Sequence, residues 1–202
     1  MYANRLTLLV ALAVFPVGTL VLPVLRLRAL VGRTGIVLHR APSAIHRFVS
    51  AALGAYAVAA VAWAVLYAWV GAASLGVWAT SAGSQAFALT LLMAGFALIV
   101  TAQWEMGISW RVGIEQERTP LVTGGLYRLS RNPIYSGVLL VVLGVACLTP
   151  SPWTILSAGQ AAMVVALQAR LEEDHLARTH GQEFRAYAAR VGRFWPGVGR
   201  LA

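Results

Sequence analysis

The order of apolar and polar stretches along the chain predicts a bundle of membrane-spanning helices. A helix needs about 20 apolar residues to cross a bilayer. Residues 6–25 carry no charge and predict one such helix. The next uncharged stretch is long enough for two, at 48–70 and 84–103, with a break where Gly, Ser and Thr gather between them. Pro16 and Pro23 predict a bend in the first helix, which is tolerable where neighbouring helices satisfy the freed carbonyls.

Two shorter apolar stretches follow a polar region that spans residues 104–133. They run over 134–148 and 153–169 and flank a Thr-Pro-Ser-Pro turn signal at 149–152. Each would form roughly 23 to 26 Å of helix, which is short for the hydrocarbon core. We therefore expect a tight helical hairpin packed against the other spans. The fold predicted is an all-α integral membrane protein with five transmembrane helices.

The tail beyond residue 170 predicts an amphipathic helix. Phe184, Tyr187, Ala188 and Val191 are spaced i, i+3, i+4 and i+7, which places them on one face of a helix. Charged residues lie off that stripe. We expect a cytoplasmic C-terminal helix that lies against the bilayer or against the rest of the domain.

Composition supports a membrane protein and adds an orientation. The chain is 59% hydrophobic and 11% charged, whereas a soluble domain carries about a quarter charged residues. Five arginines between residues 26 and 47, undiluted by any acid, mark a cytoplasmic loop. The N-terminus would then lie outside and the C-terminus inside. The lone Cys147 excludes an intrachain disulfide.

The net charge of +9 comes from arginine alone, since the chain has no lysine. This usage, with abundant Ala, Val, Leu and Gly, is typical of a GC-rich genome and indicates a bacterial inner-membrane protein. The arginines lie between apolar stretches and form no soluble basic face. Motifs that read nucleic-acid grooves are absent. We therefore expect the lipid bilayer as a partner and no nucleic acid.

All seven acids lie beyond residue 104, where they flank the predicted hairpin. Glu172 and Glu173 follow an apolar helix directly, so each can be half-buried and still reach a cytoplasmic ligand. Adjacent like charges need partners, and the sequence offers Arg128, Arg131 and Arg193. A structural salt-bridge cluster and a ligand site both fit this pattern.

Several short motifs, in order, carry a family resemblance. The first is Gly125, Tyr127, Arg128, then Arg131, Asn132, Pro133, Tyr135 and Gly137; the others are Glu172-Glu173, then Gly181, Glu183, Phe184 and Tyr187, then Arg193 to Pro196. With the stretch from Met106, they cover about residues 104–197. In this order and spacing the chain resembles the isoprenylcysteine carboxyl methyltransferase family, which is related to the phospholipid N-methyltransferases.

The resemblance implies S-adenosylmethionine as the methyl donor, bound on the cytoplasmic side, and no metal. It implies a lipid-like acceptor that enters from the bilayer, such as an isoprenylcysteine carboxylate. Residues 104–202 would form the cofactor-binding region and residues 1–103 a three-helix membrane region of the same domain. The family usually has His where this chain has Asn132. The resemblance assigns Arg111 and Glu172 to catalysis, and cofactor binding to Gly125, Tyr127, Arg131, Asn132, Pro133, Tyr135, Glu172, Glu173 and Arg193.

Other interpretations remain open. The acceptor can be a phospholipid amine instead of a carboxylate. Membrane reductases of the sterol-reductase type share a similar arginine-histidine-proline segment but use NADPH; the double glutamate and the short chain favour the methyltransferase. A non-catalytic membrane scaffold is a further alternative. Arg111 in particular fits an interfacial anchor as well as a group that holds an anionic acceptor.

Overall fold

The computed structural model describes residues 2–32, 34–35, 43–110 and 120–201. Every regular element within these ranges is helical. The α-helices described, in chain order, are α1 (Tyr2–Pro16), α2 (Leu22–Val31), α3 (Ala44–Val70), α4 (Ala82–Met106), α5 (Pro133–Leu148), α6 (Pro152–His180) and α7 (Gln182–Ala188). A π-helical segment, Val17–Val21, joins α1 to α2, and a 3₁₀ turn, Gly125–Arg128, precedes α5.

Four helical stretches in the described ranges are long and apolar enough to cross a membrane: Arg5–Val31, Ala44–Val70, Ala82–Ser109 and Pro152–His180. These correspond to the predicted spans one to three and to the second arm of the hairpin, and they support an integral multi-pass membrane protein. α5 has 16 residues and is shorter than these four. The count of five spans therefore stays a prediction.

The predicted end of the hairpin's second arm, at residue 169, is wrong. α6 continues for 29 residues to His180, so Glu172 and Glu173 lie within the helix and not beyond it. Residues 170–180 contain many good helix formers, such as Arg, Leu, Glu and Ala, and the charges alone do not end a helix. α6 ends at Gly181, which has φ +55°, a conformation that L-residues rarely adopt.

The first helix stays helical through both prolines, and the freed backbone group is satisfied from outside. Pro23 has no N–H, so it cannot bond the carbonyl of Thr19, four residues earlier. The amide of Gln103 on α4 donates to that carbonyl at 2.9 Å. The Thr19 hydroxyl in turn donates to the carbonyl of Phe15 at 2.7 Å. These contacts confirm the expectation that a neighbouring helix makes a proline tolerable here.

α4 and α5 pack with their backbones unusually close. A Cβ built on Gly95 would lie 2.7 Å from the carbonyl oxygen of Gly137, and one built on Gly137 would lie 2.7 Å from that of Gly95. A Cβ on Gly144 would meet the carbonyl of Ala88 at 3.1 Å. Small residues permit this approach, as they commonly do between membrane helices. The contact holds the N-terminal end of α5 beside the C-terminal end of α4.

The helix ends separate an apolar end of the bundle from a polar one. At the apolar end, a buried cluster of Leu8, Ala64, Tyr67, Ala88 and Leu148 packs beneath the α5–α6 turn. That turn matches the predicted Thr-Pro-Ser-Pro signal, and the Ser151 and Thr154 side chains form a capping box at the start of α6. The polar end gathers the C-terminal ends of α4 and α6, the start of α5 and the tail.

The tail forms the predicted apolar stripe, but on a shorter helix. Phe184, Tyr187 and Ala188 of α7 are all buried, and they pack against residues that include Leu121 and Leu176. α7 ends at Ala188, so Val191 lies beyond it. The stripe was expected to lie against the bilayer or against the rest of the domain, and it packs against the rest of the domain. α7 closes the polar end of the bundle.

Candidate functional site

Glu173 is the centre of a buried charge cluster at the polar end. Its side chain is only 4% exposed. Arg131 donates to both carboxylate oxygens, Nε to Oε1 at 3.0 Å and Nη2 to Oε2 at 3.2 Å. Arg193 donates to Oε2 from Nε at 3.0 Å and from Nη2 at 2.8 Å. The Asn132 amide adds a bond to Oε1 at 2.9 Å. Two guanidinium groups thus offset the cost of burying one carboxylate.

Arg131 uses all five of its N–H donors within the protein. Besides its two bonds to Glu173, Nη1 donates to the carbonyls of Ala188 and Val191, and Nη2 donates to the carbonyl of Gly199 at 2.9 Å. The side chain is 1% exposed. Arg131 therefore ties α6 to the C-terminal segment, which we define as residues 191–201.

The C-terminal segment is also held by the backbone just before α5. Arg131 N–H donates to the carbonyl of Gly192 at 2.9 Å, and Asn132 N–H to that of Arg193 at 3.1 Å. The Asn132 side chain donates to the same Arg193 carbonyl at 3.2 Å, and Ser136 Oγ donates to the carbonyl of Phe194 at 2.7 Å. The final arginine-aromatic motif therefore lies directly beside the asparagine-proline motif.

Glu172 faces a different environment from Glu173, because consecutive residues of a helix point about 100° apart. The Tyr135 hydroxyl donates to Glu172 Oε1 at 2.6 Å, and Gln168 Nε2 donates to the same oxygen at 2.9 Å. Glu172 and Tyr135 are both half-buried. Glu172 is thus the carboxylate of the pair that a ligand can reach.

Gln168 supplies an acceptor that nothing in the described part of the chain satisfies. It is 3% exposed, and its Oε1 has no hydrogen-bond partner among the described residues. The orientation of its amide is fixed by chemistry. A carboxylate only accepts hydrogen bonds, so the amide nitrogen must face Glu172 and Oε1 must face elsewhere.

Glu105, at the end of α4, shapes the loop that leads to the site. Its Oε2 accepts from the backbone N–H of Leu126 at 2.7 Å. The neighbouring Gly125 has φ +55°, and a Cβ there would overlap the Glu105 carboxylate. The positive φ therefore favours glycine at this position, and a side chain there would also have to displace the Glu105 carboxylate.

Two tyrosines of the site remain protonated at neutral pH. Burial raises the pKa of the Tyr127 phenol well above 10, and Glu172, Tyr187 and Glu105 add to the effect. Burial likewise raises the pKa of Tyr187; Arg131 opposes this and Glu173 adds to it. The Tyr187 hydroxyl donates to the backbone carbonyl of Tyr127 at 2.6 Å. The Tyr127 phenol therefore stays neutral.

The structure brings together most of the residues that the motifs indicated. Glu173 bonds Arg131, Asn132 and Arg193. Glu172, the residue before it on α6, bonds Tyr135. Pro133 begins α5 beside them, and Gly125 and Tyr127 lie on the turn that precedes α5. Arg111 lies outside the described residues. Cofactor binding by these residues stays a prediction.

Two residues of this site, Gln168 and Glu105, are not among those that the sequence predicts. Gln168 was counted as part of an apolar arm, although a glutamine one helical turn before Glu172 is a usable signal. Glu105 was counted only among the acids beyond residue 104. Its partner, the loop at Gly125, is 20 residues away, and no local pattern links the two.

The sequence matches the phospholipid methyltransferase family over residues 83–183, which is 101 of its 202 residues. The chain therefore belongs to the phospholipid methyltransferase family. The match includes Glu105, Gln168 and both glutamates of the pair, but not Arg193. A comparison with curated proteins finds no match.

Among solved structures, the chain is similar to the eukaryotic intramembrane Ras methyltransferase, an isoprenylcysteine carboxyl methyltransferase. The TM-score is 0.55 at 19% identity, over 79% of this chain and 55% of that one. At this identity the likeness shows the fold alone. The chain spans about half the length of that structure. Family and fold together support a membrane methyltransferase.

Proposed function

We propose that the chain transfers a methyl group from S-adenosylmethionine to a lipid-like acceptor, such as an isoprenylcysteine carboxylate, on the cytoplasmic side of a bacterial inner membrane. The observation that carries the proposal is the pair Glu172 and Gln168. It places a reachable carboxylate and a buried, unpartnered amide oxygen together at the polar end of a membrane bundle. The family match and the fold support the reaction class.

These residues fit the proposed cofactor. Leaving a buried acceptor such as Gln168 Oε1 unsatisfied costs about 1–3 kcal/mol, and a bound ligand with a hydrogen-bond donor removes that cost. Ribose hydroxyls and an ammonium group, both present in S-adenosylmethionine, are such donors. When bound, the cofactor would supply an electrophilic methyl group on a sulfonium.

The hydrogen bonds around Glu172 and those around Glu173 indicate two different roles for the site residues. Four residues would hold the cofactor. The carboxylate of Glu172 and the amide of Gln168 would bind it through hydrogen bonds. Tyr135 and Tyr127 would contact it through their rings and hydroxyls. Arg131 has no donor left, so we assign it to positioning.

Glu173, Asn132, Pro133 and Gly125 would likewise shape the site. Asn132 stands where the family usually has His, and its amide donates to Glu173 Oε1 at 2.9 Å. Arg193 Nη1 has no contact with an acid in the described ranges, which leaves it suited to the cofactor's carboxylate.

Methyl transfer itself asks for alignment and exclusion of water. A carboxylate acceptor needs no base. The family match favours a second candidate acceptor, a phospholipid amine. An ammonium must lose a proton before it can attack the methyl group, and Glu172 is the carboxylate in position to accept it. Product analysis distinguishes the two, since one product is a methyl ester and the other a methylated amine.

Binding of S-adenosylmethionine to the purified protein, measured by calorimetry, tests the proposal. We expect wild type to bind it and Glu172→Gln to bind about tenfold more weakly, the effect of losing a charge-assisted hydrogen bond. The exposed neighbour Asp174, changed to Asn, is the matched control and should bind as wild type. Equal affinity of Glu172→Gln and wild type would refute the site. No binding by wild type, with binding of NADPH instead, would favour the reductase.

A further inference from the structure

A second site lies on the opposite side of α4 from Gly125. It is a cleft of about 410 Å³, part of it open to the surroundings, between the first helix and the end of α4. Leu27 and Trp110 form buried walls, each 4% exposed. The lining is apolar apart from Arg26 and Gln103.

Arg26 is the cation of this cleft. Its guanidinium lies 3.8 Å above the Trp104 ring, and Nη1 donates to the Trp104 carbonyl at 3.0 Å. No acid in the described part of the chain pairs with it. Stacking on an aromatic ring orients a guanidinium while leaving its other N–H groups able to bind an anion. Arg26 lies in the second half of α2, which ends at Val31, and arginines are common where membrane helices end on the cytoplasmic side.

Gln103 supplies an acceptor in the same cleft. It is 8% exposed, and its Nε2 is held by the carbonyl of Thr19 that Pro23 leaves unbonded. This bond fixes the amide, so Oε1 is the atom left over. Oε1 has no hydrogen-bond partner among the described residues. The cleft therefore pairs a cation with a buried acceptor, between apolar walls.

We propose that this cleft binds a phospholipid whose headgroup carries an N–H donor, with the phosphodiester at Arg26 and the donor at Gln103 Oε1. The apolar walls take part of an acyl chain or the glycerol backbone. A free phosphate ion would match Arg26 but would leave those walls bare. The residues that line this cleft include none of those assigned above to the cofactor, and the proposal does not depend on the proposed methyl transfer.

The proposal is tested with two lipids that differ in one property. Phosphatidylethanolamine and phosphatidylcholine both carry a phosphodiester and a cationic nitrogen, but only the first has N–H groups. We expect native mass spectrometry of the detergent-purified protein, without S-adenosylmethionine, to show about tenfold tighter binding of phosphatidylethanolamine. That ratio reflects a buried acceptor left unpaired by phosphatidylcholine.

Variants of the chain provide the second arm. Arg26→Ala and Arg26→Gln should each weaken phosphatidylethanolamine binding about tenfold. Arg26→Gln keeps a donor for the Trp104 carbonyl, so its thermal melting should be unchanged. If both variants then lose binding, the loss is due to the missing charge. Arg28→Ala is the matched control on the same helix, since Arg28 is exposed, and should bind as wild type.

Equal binding of the two lipids would overturn the role of Gln103, and wild-type binding by both Arg26 variants would overturn the role of Arg26. Inorganic phosphate that competes with the lipid at equal concentration would overturn the phospholipid as the occupant. Failure of this proposal is separate from failure of the proposed function, because the calorimetric measurement of S-adenosylmethionine binding involves neither Arg26 nor lipid.

Discussion

Replacing Glu173 by Gln removes the carboxylate on which the polar end of the bundle is assembled, while keeping the side chain's shape. Five hydrogen bonds converge on this carboxylate, from Arg131, Arg193 and Asn132. A glutamine at this position has one acceptor oxygen and one donor nitrogen. If its oxygen replaces Oε1, it keeps two of those bonds and sets its N–H groups against the three donors that bonded Oε2.

The magnitude follows from how each arginine can respond. The Arg193 side chain is 23% exposed and can turn toward water, whereas that of Arg131 is 1% exposed and cannot. Removing one partner of a buried ion pair costs about 3–5 kcal/mol. Because one of the two guanidinium groups can escape, we expect Glu173→Gln to lose about 3 kcal/mol of unfolding free energy, near the lower end of that range.

Equilibrium unfolding in mixed micelles measures this loss, and hydrogen exchange locates it. The C-terminal segment should exchange faster in Glu173→Gln, because Arg131 bonds its carbonyls. Asp174→Asn, at an exposed acid on the next residue, should stay within about 0.5 kcal/mol of wild type. A Glu173→Gln variant that is as stable as wild type but has lost S-adenosylmethionine binding would refute the structural role and make Glu173 a direct ligand.

Three further predictions concern the loop, the helix packing and the pH response. Gly125→Ala should lower the free energy of unfolding by more than about 1 kcal/mol in a thermal melt, because the residue has a positive φ and its Cβ would overlap a carboxylate. Gly124→Ala should be neutral, because its Cβ would meet nothing within 4 Å. Equal melting temperatures of the two variants would contradict this. Gly137→Ala should destabilise the protein by about 1–3 kcal/mol through overpacking. Gly159→Ala should not, because a Cβ at Gly159 would meet nothing within 4 Å. A neutral Gly137→Ala would argue against the close contact between α4 and α5. Because burial raises the pKa of Tyr127, the folded state keeps a proton that the unfolded chain loses near pH 10, and the free energy of unfolding should fall as pH rises above about 10. Tyr127→Phe should flatten that fall in a series of melting curves recorded against pH. An unchanged slope would contradict the assignment.

The membrane helices were predictable because hydropathy and length leave few choices for an apolar chain. The starts of α5 and α6 were predicted to within one residue by the apolar stretches that begin at 134 and 153. The end of α6 was not predictable from charge, since the acids that seemed to mark a loop continue the helix. The burial of Glu173 depends on Arg131 and Arg193, which are 42 and 20 residues away in sequence.

The members of the candidate site were largely identified by motif, but their roles required the structure. Adjacent glutamates look equivalent in sequence, and only the helix geometry turns Glu173 toward Arg131 and Arg193 and Glu172 toward Tyr135. The five hydrogen bonds that Arg131 donates predict that Arg131→Ala releases the C-terminal segment.

The central claim is methyl transfer from S-adenosylmethionine to a lipid, with Glu172 in the site. The most direct test incubates purified protein with methyl-labelled S-adenosylmethionine and a membrane lipid extract, and follows the label into the lipid fraction by mass spectrometry. We predict labelled lipid with wild type and with Asp174→Asn, and at least about tenfold less with Glu172→Gln. Absence of labelled lipid with wild type, or an equal yield from Glu172→Gln, would contradict the account.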